Sequence, residues 1–120
     1  MINQLETHYL EQQLRKAEQE KLSHNWGLAF MHYQRAYNEA RWLCDHFING
    51  ECARYAEQAL SHLHTAALGC IDCSDSPTST NLIIEADLKN YKKQARYAFG
   101  SKFSHAAFTT TNNTNHFARA

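Results

Sequence analysis

The sequence predicts an all-α fold of about four antiparallel helices, and three observations carry that reading. One Pro and four Gly in 120 residues leave few chain breakers, which favours long helices over a β-sandwich with its many turns. Two long segments place apolar residues at three- and four-residue steps, the repeat of one helical face. Hydrophobic residues make up 43% and aromatics 12% of the chain, enough to bury a core over residues 1–100, read as a single helical domain.

The first helix is expected from about Asn3 to Lys21. Asn3 followed by Glu6 has the spacing of an N-cap and its N3 partner, which satisfies orphan N–H groups at a helix start. Its apolar residues fall into two sets, Ile2/Leu5/Tyr9 and Leu10/Leu14/Ala17, so two buried faces are open to it. The second helix, about Asn25 to Ile48, is the clearest element. Trp26, Ala29, Phe30, Tyr33, Ala36, Tyr37, Ala40, Leu43, Cys44 and Phe47 form its stripe, and Gly50 suits the left-handed position beyond its end.

The third helix, about Glu51 to Leu68, carries Cys52, Tyr55, Ala56, Ala59, Leu60, Leu63, Ala66 and Ala67, with Gly69 as its stop. A short link between two such helices makes them antiparallel neighbours. Cys70 to Thr80 reads as a loop by composition. A fourth helix follows from about Asn81 to Phe99, with Ile84, Leu88, Tyr91, Ala95 and Ala98 inward and Gly100 at its end. Residues 101–120 are small and polar and are expected to form a disordered tail.

Residues 24–40, His-Asn-Trp-Gly-Leu-Ala-Phe-Met-His-Tyr-Gln-Arg-Ala-Tyr-Asn-Glu-Ala, carry an aromatic followed by small, aromatic and small residues at Trp26, Ala29, Tyr33 and Ala36. This segment resembles the second helix of a tetratricopeptide repeat (TPR), in which small residues let the paired helix approach and aromatics fill the groove. The resemblance covers about 17 residues and one unit, since Leu63 stands one period of about 34 residues beyond Ala29. It implies binding of a protein or peptide by a helical hairpin.

Twelve Lys plus Arg balance twelve Asp plus Glu, so the chain as a whole has no field that would recruit nucleic acid or an anionic membrane. The start of the chain lacks a basic segment followed by an apolar one, and no apolar run approaches the roughly 20 residues of a membrane span. A cytoplasmic location is expected, in which Cys44, Cys52, Cys70 and Cys73 stay reduced. A helix between Cys52 and Cys70 would hold them roughly 27 Å apart, too far for one zinc ion with sulfur ligands at about 2.3 Å. Cys44, His46 and Cys52 at the hairpin end, or Cys70 with Cys73, are smaller combinations, but buried cysteine acting as a small hydrophobe is the expectation. No metal or cofactor is therefore assigned.

Eight His residues invite an acid–base reading. His62 and His64, two apart on a helix, point about 200° from each other and cannot chelate one ion. A four-helix chain of this size with a helical His is similar to histidine phosphotransfer domains, and the segment Ser61 to Gly69 is the place to test it. Those domains place a Lys three residues later and a Gly after it, where this chain has Thr65-Ala66 or Ala67-Leu68. With no Gly-rich phosphate loop and no nucleophile elbow, no catalytic residue is assigned and no enzymatic activity is expected.

Two surfaces remain. From Leu88 to Phe103 the chain carries Lys89, Lys92, Lys93, Arg96 and Lys102 and no acid, whereas residues 1–60 hold 8 acidic and 6 basic side chains. Lys89, Lys92, Lys93 and Arg96 share one broad helical face that could meet an acidic partner segment or a phosphate backbone, or lean on Glu11, Glu18 and Glu20 of the first helix. Trp42 lies off the main stripe of the second helix, on one side with Leu28, Met31 and Arg35, a composition common in binding hot spots. The expectation is a small protein-interaction module, adaptor or chaperone-like. A His-dependent phosphotransfer protein and a homodimer built through the second helix are the alternatives.

Overall fold

The computed structural model describes residues 4–100, with side chains from His8 onward. Among the described residues the fold is all-α: α1 Gln4–Leu22, α2 Trp26–Asn49, α3 Ala53–Cys73 and α4 Pro77–Phe99. Asn3, expected to cap α1, and the expected tail from Ser101 lie outside the described residues, as does the side chain of Glu6, the expected capping partner. The helices run up and down in a flattened block of 40 × 32 × 18 Å, its thin dimension about two helix diameters. Helix α2 packs most extensively, against α3 and α1, and α4 closes the far side over α3 and α2.

Of the two apolar sets on α1, Leu10 and Ala17 are fully buried, Leu14 packs against the core, and Tyr9 stays exposed. The inward stripes of α2, α3 and α4 hold as expected at Ala29, Tyr33, Ala36, Tyr37, Ala40, Leu43, Cys44 and Phe47, at Ala56, Ala59, Leu60, Leu63, Ala66 and Ala67, and at Ile84, Leu88, Tyr91 and Ala95. They merge into one continuous core. Trp26 is the exception on α2. It is about half exposed and meets the His24 ring edge-on at 5.8 Å.

Three local expectations are corrected. Gly69 does not stop α3, which continues to Cys73. A Cβ at Gly69 would overlap Cγ, Cδ1 and Cε1 of the Tyr33 ring, so the glycine serves close approach of α3 to α2 rather than helix termination. The expected loop from Cys70 to Thr80 accordingly shrinks to residues 74–76, and α4 begins at Pro77. Proline suits a first helical position, where its missing N–H would have had no partner. Ser74 Oγ accepts the Ser76 N–H at 3.0 Å and meets Thr80 Oγ1 at 2.6 Å, which fastens the short connection.

The third correction concerns the turns. Gly50 has φ −82°, and Glu51 takes the left-handed conformation at φ 55°. Cys52 N–H donates to Phe47 O and Glu51 N–H to Ile48 O, the paired bonds of a Schellman motif with Glu51 at its left-handed position. A Cβ on Gly50 would come 3.0 Å from His46 O, so the glycine relieves crowding one residue earlier. The α1–α2 turn repeats the pattern: Asn25 N–H donates to Glu20 O, His24 N–H to Lys21 O, and His24 has φ 62°.

Polar contacts tie the neighbours of α2 to it. Gln13, buried on α1, meets His32 Nδ1 at 2.7 Å, and Tyr33 OH donates to Glu18 at 3.1 Å. One turn on, Tyr37 OH donates to Asp87 of α4 at 2.7 Å, with Arg41 3.8 Å from the same carboxylate. Burial pushes both phenols to higher pKa, and the adjacent carboxylate adds to the shift. Lys21 links α1 to Asp72 of α3 at 3.4 Å.

Candidate functional site

Parts of the two leads read from the sequence, Lys93 and Arg96 of one and Trp42 of the other, come near each other at one end of the molecule. A groove of about 860 Å³ lies between the α2–α3 turn and the last turns of α4. The turn contributes Ile48, Asn49 and Glu51, and α4 contributes Asn90, Lys93, Gln94, Arg96 and Tyr97. Asn49 also belongs to a shallower hollow of about 430 Å³ beside Trp42, Asp45 and His46. The positions follow from simple geometry: α4 buries Ile84, Leu88, Tyr91 and Ala95, which turns Asn90, Lys93 and Tyr97 outward at three- and four-residue spacing.

The groove mixes one carboxylate, Glu51, with two cations and three amide side chains. Asn49, Asn90 and Gln94 each offer both a donor and an acceptor, the pair a peptide backbone requires. Tyr97 is 96% exposed and brings an uncovered aromatic ring to the same rim. Glu51 reaches it through a backbone conformation uncommon outside glycine.

The other predicted residues are distributed more widely. Lys89 is exposed and Lys92 partly covered, and neither lines the groove. The anticipated support from α1 is not how its acids are used, since Glu18 accepts from Tyr33, Glu20 from Asn25, and α4 packs on α3 and α2. Trp42 is 49% exposed and stacks on the His46 ring at 5.3 Å, nearly parallel. His46 in turn meets Phe47 edge-on at 5.2 Å, which orients the pair from the core. Leu28 and Arg35 are exposed and Met31 half-buried on the same side, the face of α2 left over after α1, α3 and α4 have packed.

Sequence reasoning did not find Tyr97, Asn49 or the outward pair Leu82 and Ile83, both more than 60% exposed. For Leu82 and Ile83 a signal existed: two aliphatics immediately precede the inward Ile84, at positions that one stripe cannot bury. Tyr97 and Asn49 become neighbours only because α4 folds back over the end of α2.

The thiols and imidazoles are placed for packing. Cys44, Cys70 and Cys73 are buried and Cys52 partly so, all four free. Burial raises the Cys44 and Cys73 thiols and pushes Cys70 up to about 12, which leaves little thiolate for nucleophilic or redox chemistry at neutral pH. His64 is buried. His62 is held below its ordinary pKa by burial, with the Glu11 carboxylate opposing. The charge acting on it is thus an anion, where a phosphoryl-accepting histidine calls for a cation. Among the described residues no group of three or more His, Cys, Asp or Glu is arranged to hold a metal ion, and no helix is long and apolar enough to cross a membrane. No protein-family model, curated protein or solved structure matches this chain.

Proposed function

We propose that the protein is a small helical interaction module that holds an acidic, extended segment of a partner protein in the groove between the α2–α3 turn and the end of α4. The observation that carries this reading is the groove's own chemistry. Lys93 and Arg96 supply charge for carboxylates, Asn49, Asn90 and Gln94 supply paired donors and acceptors for backbone, and Tyr97 supplies an uncovered ring. Glu51 at the turn end sets a polarity, because an acidic side chain is repelled there and accepted beside Lys93. The TPR-like segment agrees with a hairpin scaffold of this kind, and four free thiols favour a reducing, cytoplasmic setting.

A photo-crosslinking residue at Tyr97 and another at Gln58, an exposed position on α3, test the proposal in lysate of the native host. A partner captured from Tyr97 but not from Gln58, cross-linked through an acidic segment and lost with Lys93→Glu plus Arg96→Glu, supports it. Equal capture from both positions, or capture unaffected by charge reversal, refutes it.

A further inference from the structure

Helix α4 ends abruptly, and it does so on the wall of the groove. Gly100 N–H closes the last turn on Arg96 O at 2.9 Å, and Gly100 then takes φ 94° and ψ 169°, a region open essentially to glycine alone. A continuing helix would carry the chain on along the α4 axis, whereas this conformation swings it aside. The residues just before the swing, Arg96, Tyr97 and Ala98, line the groove. The charge balance of the chain divides at the same point. Residues 1–100 hold twelve acidic and ten basic side chains, and residues 101–120 hold two basic and no acidic ones. Residues 101–108, Ser-Lys-Phe-Ser-His-Ala-Ala-Phe, come directly after Gly100 and precede a polar run of Thr and Asn.

We propose that residues 101–108 fold back across the groove, with Lys102 beside Glu51 and Phe108 against Trp42. Charge sets the direction. Lys93 and Arg96 on the α4 wall repel Lys102, and Glu51, exposed on the opposite wall, attracts it. Asp45 is already engaged by Tyr91 of α4, so Glu51 supplies the local attraction. Apolar surface sets the end point. His46 stacks on Trp42 at 5.3 Å and Trp42 stays 49% exposed, which leaves flat aromatic surface beside a hollow of about 430 Å³. Phe108 brings a ring suited to that surface. Reach is sufficient, because the eight residues from Gly100 to Phe108 span up to about 26–29 Å. The hollow also shares Asn49 with the groove from which the segment starts.

Covalent attachment selects this segment over a separate molecule. A short tether acts as a local concentration of about millimolar. One aromatic contact and one ion pair then suffice where a free chain needs a far larger interface. The docking does not rest on the acidic-partner reading of the groove, although a partner bound there must displace the segment. Failure of either proposal leaves the other standing.

A nitroxide attached at Ala107→Cys in the full chain tests this by NMR, in a Cys52→Ser background that leaves only the buried thiols. Two indole N–H groups report: Trp42 beside the hollow, and Trp26 about 24 Å away along α2. The label should broaden Trp42 strongly and spare Trp26, equally at every protein concentration. Phe108→Ser should abolish the effect and Lys102→Glu should reduce it severalfold at low salt. Both variants leave residues 1–100 untouched. Equal broadening of the two indoles, broadening of neither, or broadening that survives Phe108→Ser overturns the proposal. So does broadening of isotopically enriched, unlabelled copies by nitroxide-bearing ones without enrichment, which would make a second molecule the occupant.

Discussion

Replacing Gly69 by Ala separates two opposed effects at one atom. Helix α3 runs straight through Gly69, and at an ordinary helical site the change would stabilise by about 1 kcal/mol through helix propensity. Here the added carbon overlaps three ring atoms of Tyr33. The ring has no room to turn aside. Tyr33 is 5% exposed, and its hydroxyl is held by Glu18 at 3.1 Å. The α2–α3 seam must therefore open, and overpacking of this kind costs about 1–3 kcal/mol before the propensity gain of about 1 kcal/mol is set against it, with the upper part of that range applying where backbone must move. We expect Gly69→Ala to lower stability by about 1–2 kcal/mol net, read as a lower urea midpoint at unchanged slope. In a Tyr33→Ala background the obstruction is gone, and the same substitution should become neutral or stabilising. Stabilisation by Gly69→Ala alone, near the propensity value, would refute the close approach of the two helices.

Other expectations follow from the same contacts. Glu51→Gly and His24→Gly should each stabilise by up to about 1 kcal/mol, since both residues hold a left-handed φ that only glycine adopts without strain; thermal unfolding reads this directly, and loss of stability in both would contradict the Schellman turns. Tyr37→Phe should cost about 1 kcal/mol by removing the donor to Asp87, with a smaller penalty in an Asp87→Asn background. Stability should form a plateau in pH. Cys70, Cys44 and Cys73 are raised in the folded state from the ordinary thiol value of 9.0, so above that pH the unfolded chain loses protons that the folded one keeps, and stability falls as pH climbs from about 9 towards 12. His62 is lowered from 6.5, so its contribution is complete above that value and fades as pH drops through the folded pKa. Flat stability from neutral to strongly alkaline pH would show that the thiols are not buried as described.

The amphipathic repeats made the helices legible. Ala, Leu, Tyr and Cys at three- and four-residue steps had one way to bury themselves, and the stripes of α2, α3 and α4 went inward as the pattern required. Glycine was the residue that misled. Gly69 looked like a helix end and is a contact point, while Gly50 does follow the end of α2 but sits one residue before the left-handed position it was expected to fill. The role of Gly69 depends on Tyr33, 36 positions away, of which local composition holds no record, and that of Gly50 on the His46 carbonyl one turn back in its own helix. Pro77 misled in the same way, because a proline that opens a helix and one that closes a loop share the same sequence neighbours.

The candidate site was legible only in parts. Lys93 and Arg96 stood out as a run of cations and Trp42 as an aromatic off its stripe, because each departs from the pattern around it. That they lie near one another, with Asn49 between them and Tyr97 at the rim, depends on α4 folding back over the end of α2. By itself the sequence determined the helical class, the inward faces and the absence of a recognisable catalytic motif, since these rest on spacings of three to seven residues. Tertiary structure alone decided which glycines mark close packing, which cations share a groove, and which face of α2 stays uncovered. Those are relations between residues some 20 to 70 positions apart, joined by contacts rather than by the chain, and helical periodicity has lost its memory over that distance.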